Sequence, residues 1–254
     1  MRKLLLPLAL MLTVATAGEQ FAMSDADKKM YEEMQENNPA DIFVDAGSEE
    51  LEDNLGGEEA LQNFLNVSEK ELPKYIAGFP RYITKLDNVV GIDQVLQAMQ
   101  VEQGKKRTSL NEEPITIMSA YVKSLANDEL VNIDINENKE MKASYDLGKI
   151  IYEKVRGKRG LSCKSCHSKA VKGLSLRTQT LPRFGEAGTG ATWPAYRMTK
   201  SKMRTIQQRF QGCMEDSIHT VLPLGSKEMV ALEVYITNES KNEKKIIAIP
   251  GLKR

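Results

Sequence analysis

The chain has 254 residues, 41% of them hydrophobic and 28% charged, and its 35 basic and 35 acidic side chains leave no net charge. That length suits one large or two small domains, and the charge balance argues against a nucleic-acid binder, which needs a basic excess to release phosphate counterions. Two histidines and three cysteines argue against a disulfide-stapled scaffold and a histidine-rich metal site, and no apolar run reaches the roughly 18 residues that cross a bilayer.

The chain opens with a short positive stretch, Arg2-Lys3, followed by the apolar run Leu4 to Val14 and the small-x-small pattern Ala15-Thr16-Ala17. This reads as a signal peptide over residues 1–17, exported unfolded because Arg2-Lys3 is not a twin-arginine signal. The expected address is a bacterial periplasm. Residues 18–40 are polar and acidic and read as an arm or a loosely docked helix. Two globular stretches are expected after it, 41–128 and 141–254. Between them the polar segment 129–140, which lacks helical periodicity, reads as a linker.

Each half closes with a similar helix. Pro114 opens the first, with Ile115, Met118, Tyr121, Val122 and Leu125 on one face; Ser226 caps the second, with an apolar stripe through Met229, Leu232, Val234, Tyr235 and Ile236. The second half also begins with a helix, Met141 to Val155, in which Gly148 permits close approach of the final helix. The echo predicts an all-α chain made of two tandem class I cytochrome-c-like domains. The first carries no Cys or His, so it is expected to lack haem and to fill its core with Phe64, Leu65, Tyr75, Ile76, Phe79, Tyr82, Leu96 and Met99.

Cys163-Lys164-Ser165-Cys166-His167 is a C-x-x-C-H pentapeptide, the attachment pattern of a c-type haem. Its spacing serves the chemistry: Cys163 and Cys166 add to the two vinyl groups of one haem, and the imidazole of His167 reaches the iron. A thioredoxin-like pair would need a βαβ setting that is absent here, and zinc would need two further ligands from a very small pool. One covalently bound haem c is expected.

A second axial ligand comes from downstream, where Met198, Met203, Met214, Met229, His219 and Cys213 are the candidates. Cys213 is the odd cysteine of an exported chain, 46 residues after His167 in a basic setting that favours thiolate. Arg209 lies one helical turn before it. A guanidinium fork beside a thiolate suits a small oxyanion and redox chemistry at sulfur. A Met or His219 ligand would instead make the chain a periplasmic electron-transfer cytochrome, and a third reading is a haem-bearing scaffold for a catalytic partner. The run Lys154 to Arg159, with Lys164, Lys169 and Lys172, reads either as a docking face or as a solvated rim.

Trp193-Pro194-Ala195-Tyr196-Arg197 followed by MRTIQQRFQGCM (Met203 to Met214) closely resembles the SoxA family, haem-bearing subunits of thiosulfate-oxidising systems. Phe79-Pro80-Arg81-Tyr82 and Val95 to Met99 resemble the segment that carries a first cysteine ligand in dihaem members, with Ala98 at the cysteine position; the chain thus resembles a monohaem form. The resemblance implies an L-cysteine S-thiosulfotransferase that works as a heterodimer with a SoxX-like monohaem cytochrome and couples thiosulfate to a cysteine of a SoxY–SoxZ-like carrier. It also implies Cys213 as distal iron ligand and catalytic sulfur, commonly a persulfide, Arg209 as the substrate-binding residue, His167 as proximal ligand, and Cys163 and Cys166 as the haem anchors.

Overall fold

A computed structural model describes residues 25–171, 174–176 and 179–253. The signal peptide expected at 1–17 lies outside them. Helix α1 (Asp25–Glu36) precedes α2 (Asp41–Leu55), α3 (Gly57–Leu65) and α4 (Leu72–Ile76). Strands β1 (Arg81–Ile83) and β2 (Asn88–Val90) pair antiparallel and lead into α5 (Ile92–Glu102) and α6 (Glu113–Ser124). Helix α7 (Lys139–Glu153) and the single-turn α8 (Cys163–His167) follow, then the β3–β4 ribbon (Ser175–Leu176 and Gln179–Thr180). Strands β5 (Ala195–Arg197) and β6 (Lys202–Arg204), α9 (Ile206–Asp216), α10 (Lys227–Asn242) and β7 (Gly251–Lys253) complete the fold. Strand β5 is central in its sheet, antiparallel to β6 and parallel to β7.

Helices dominate as expected, but the small sheets correct the all-helical expectation. Their strands are two or three residues long, too short for the alternation that reveals a strand. The helices begin where the chain supplies caps. Asn138 Oδ1 accepts from the Met141 amide (2.8 Å) to start α7, and Ser226 Oγ accepts from the Met229 amide (3.2 Å) to start α10. Pro114 opens the first turn of α6, where its missing N–H costs nothing.

The same succession of elements occurs twice, 114 residues apart. Cis peptides precede Pro80 and Pro194, and left-handed residues close the turns at Asp87 and Ser201. Gln94 Oε1 accepts from the Gly91 amide (2.9 Å) at the start of α5, as Gln208 Oε1 does from Thr205 (3.2 Å) at the start of α9. Gln97 Nε2 donates to Thr108 O (2.6 Å) and Gln211 Nε2 to Leu222 O (2.8 Å). The helix clasps also match. A Cβ on Gly47 in α2 would stand 2.2 Å from Ile117 O in α6, and one on Gly148 in α7 would stand 1.9 Å from Ala231 O in α10. Only glycine permits backbones this close.

The halves share packing. One core holds Leu51, Leu96, Ile115 and Met118 of the first half together with Met141, Met203, Val230 and Val234 of the second. The other gathers Ile151, Tyr152, Trp193, Phe210, Met214 and Leu232. Of the residues expected to fill the first half, Phe64, Leu65, Ile76, Phe79, Leu96 and Met99 are buried, whereas Tyr75 and Tyr82 are only partly so. Segment 129–140 is no free tether. Val131 and Ile133 are buried, the Val131 amide donates to Lys245 O (3.0 Å), and Lys241 Nζ donates to Ile133 O (2.6 Å). Within the expected arm, α1 is helical and Asn38 Nδ2 donates to Pro250 O (2.6 Å).

Candidate functional site

Ser162 caps α8: its Oγ accepts from the Ser165 amide (3.2 Å), and Ser165 Oγ accepts from the Ser162 amide (3.0 Å). The resulting turn sets Cys163 and Cys166 on one side, with His167 at its end; both cysteines are half-buried free thiols. The His167 ring stacks on Phe184 (centroids 4.0 Å apart, planes 24°), and its Nδ1 lies 2.8 Å from Pro182 O. That carbonyl can only accept, so Nδ1 carries the proton and Nε2 is left as the donor atom for a metal. Burial holds the imidazole below its ordinary pKa, with the Pro182 carbonyl opposing and Arg209 reinforcing the shift, which favours the neutral ligating form. From α7, Tyr152 Oη donates to His167 O (3.0 Å).

Helix α9 supplies the opposite side. Its N-terminus is fixed by the Thr205 cap and by Gln208, whose Nε2 donates to Leu110 O (2.7 Å) and Thr116 Oγ1 (3.0 Å) in the first half. Ile206, Gln207, Phe210 and Met214 face inward, leaving Arg209 and Cys213 half-buried one turn apart. Cys213 lies close enough to Cys163 and Cys166 for each pair to disfavour a shared negative charge, and close enough to Arg209 to be pulled toward thiolate. Burial nevertheless outweighs Arg209 and raises the Cys213 thiol. Arg209 thus pulls in the direction that the basic setting predicts, desolvation is the larger effect, and a metal is what would hold the sulfur ionised.

Of the other candidates, Met203 belongs to the core shared with the first half, while Met214 and Met229 are buried in the second core, against which Cys163 and Phe184 pack. Met198 sits in the turn after β5. His219 packs against the loop at Arg156 and Leu161, with its Nε2 buried and unpartnered. Of the basic run, Lys164 pairs with Glu153 (3.0 Å), and Lys172 lies outside the described residues.

The donor set fits a c-type haem: two free thiols at i and i+3, an imidazole whose tautomer is already set, and a third sulfur facing them. Three contributors were not foreseen from the sequence, namely Tyr152, the Pro182 carbonyl and Phe184, because nothing in their spacing marks them. A further pair also emerges. Arg197 and Lys253 are partners in the β5–β7 register. Burial and then Arg209 lower the pKa of Arg197, and burial and then Arg197 lower that of Lys253, so the cations form a row that runs away from Arg209.

The twofold register of the chain also re-reads the first half. Cys213 corresponds to Met99 and Arg209 to Val95, 2% and 1% exposed. Ala98, expected at the cysteine position, corresponds instead to Gly212.

Residues 147–244 match the family model described as SoxA/TsdA, cytochrome c domain. The chain is 27% identical over 258 residues to the L-cysteine S-thiosulfotransferase subunit SoxA of Hydrogenophilus thermoluteolus, covering 95% of this chain and 92% of that one. It is 26% identical over 220 residues to the subunit of that name from Hydrogenobacter thermophilus, covering 85% and 82%. The fold is similar to that in the crystal structure of SoxXA from P. pantotrophus, with a TM-score of 0.71 at 20% identity, covering 89% of this chain and 84% of that one.

Proposed function

We propose that this chain, whose residues 147–244 match the SoxA/TsdA cytochrome c domain model, is the haem-bearing subunit of an L-cysteine S-thiosulfotransferase. In this reading it joins thiosulfate to a cysteine of a carrier protein in the periplasm, and a small monohaem cytochrome is its heterodimer partner. The observation that carries the reading is the convergence of Cys213 and Arg209 on the C-x-x-C-H turn.

Cys163 and Cys166 would hold one haem c through thioether bonds, with His167 Nε2 and Cys213 Sγ as the groups available to its iron. Bound there, the haem would supply one-electron redox chemistry, with the partner cytochrome as the onward acceptor. Arg209 orients the sulfonate of thiosulfate through paired charged hydrogen bonds, and the cations at Arg197 and Lys253 strengthen the local field. The Cys213 sulfur forms an S–S bond to the terminal sulfur of thiosulfate with loss of two electrons. The carrier thiolate then attacks that terminal sulfur, giving a cysteine S-thiosulfonate and returning the Cys213 thiolate.

The first half is read as a cytochrome-c-like domain without haem, in which the buried Met99 and Val95 stand at the positions of Cys213 and Arg209. One haem per chain, counted by pyridine haemochrome, is the expected result. Low-temperature EPR of the ferric protein tests the ligand set: a low-spin thiolate–imidazole signal is expected, and a histidine–methionine signal would make the chain an electron carrier. Cys213→Ala should keep the covalent haem and lose thiosulfate coupling in the presence of partner and carrier. Coupling that persists in this variant refutes the assignment.

A further inference from the structure

Where the two repeats meet, a cavity of about 30 Å³ lies between α5, α6, α9 and α10, with no cysteine in its lining. Asp93, Lys123 and Glu233 line it, and they are its only charged lining groups among the described residues. The repeat pairs Asp93 with Gln207, Ser119 with Glu233 and Lys123 with Thr237, so each half contributes a carboxylate where the other has a neutral group. Ser119 Oγ donates to Asp93 Oδ1, and Gln207 Nε2 donates to Glu233 Oε2 (2.7 Å). The ammonium of Lys123, a residue only 5% exposed, makes no hydrogen bond or ion pair with any described residue and feels Glu233 only through space.

A buried ammonium without partners is costly, and a space of this volume lined by polar atoms accommodates a water molecule with room to spare. We propose that the cavity is a proton-exchanging water site, in which one or two waters bridge the Lys123 side-chain nitrogen to the carboxyl groups of Asp93 and Glu233 and the three side chains share protons through them. The site stands at the root of α9, the helix that carries Cys213, through Gln207 and the Thr205 hydroxyl beside Asp93.

The electrostatics agree with this arrangement. Burial pushes Asp93 up to about 6, with Ser119 and Thr205 opposing. Burial, reinforced by Asp93, pushes Glu233 up to about 7, and burial brings Lys123 down to about 8 against the pull of Glu233. The raised carboxyls keep protons in the folded chain that the unfolded chain has lost. Their contribution to stability is therefore complete below about pH 4 and falls as the pH rises toward about 7. The lowered ammonium works the other way: the unfolded chain holds the proton more tightly, so stability recovers as the pH rises from about 8 toward about 10.

The test is the pH dependence of the unfolding free energy of the haem-loaded protein, whose slope counts the protons taken up on folding. Near pH 5.75, Glu233→Gln should take up about one proton fewer than the unaltered protein. Equal uptake overturns the proposal. Infrared difference spectra of the unaltered protein give an independent reading that needs no variant. A protonated carboxyl band that persists above pH 5 and shifts in heavy water is expected, and its absence overturns the proposal even if Glu233→Gln does not fold.

Discussion

Gly148→Ala perturbs the joint on which the haem-site half depends. A Cβ at this position would stand 1.9 Å from Ala231 O and 2.8 Å from Tyr235 Cβ, against 3.4–4 Å for ordinary contact. Helices α7 and α10 must therefore separate by about 1.5 Å, loosening Ile151, Met229 and Leu232, all of which are at most 2% exposed. Overpacking of this kind costs about 1–3 kcal/mol or more, and backbone atoms that cannot rotate away place this site at the upper end. The better helix propensity of alanine returns about 0.5–1 kcal/mol, leaving a net loss of about 2 kcal/mol. Gly47→Ala, whose Cβ would stand 2.2 Å from Ile117 O, should cost a similar amount. The two should differ at the haem site, because Tyr152 on α7 holds His167 O while α2 packs chiefly on α6 and α3. Urea unfolding with parallel haem spectra separates the effects. An unfolding midpoint at or above that of the unaltered protein in Gly148→Ala refutes the reasoning.

Three further outcomes are expected. Arg209→Lys keeps the charge but loses the planar fork, so kcat/KM for thiosulfate should fall about tenfold or more, read from steady-state kinetics with partner and carrier present. Tyr152→Phe removes the donor to His167 O and should cost about 1 kcal/mol of stability in urea titrations, with the covalent haem retained. Met99→Ala opens a cavity at a residue 2% exposed and should cost about 2–5 kcal/mol, with an unchanged haem spectrum because Met99 lies in the first half.

The chemistry-bearing residues were the readable part of this sequence. A C-x-x-C-H turn needs only local spacing, and the closing helices announce themselves through Pro114 and the Ser226 cap. Cys213 stood out as the odd cysteine, and the fold brings it to the attachment turn. The strands stayed hidden because pairing such as Ala195 with Gly251 is set by tertiary contact rather than by local pattern. The equivalence of Cys213 with Met99 rather than Ala98 follows from the matched caps, turns and glutamine hydrogen bonds, and the identities Pro80/Pro194, Tyr82/Tyr196 and Gln97/Gln211 share that offset. Asp93, Lys123 and Glu233 each look like a solvated face of an amphipathic helix, and only the meeting of the repeats encloses them.

The anchorage of Gln208 in the first half bears on why a half without cysteine or histidine is retained at all. Cutting the chain near residue 129 would deprive the Gln208 amide of Leu110 O and Thr116 Oγ1. It would also leave Met203, Val230 and Val234 facing water. The haem-site half is thus no self-sufficient module. Helix α9, which carries Arg209 and Cys213, is mounted on the first half through Gln208, so a change in the packing of that half reaches the cysteine without touching it.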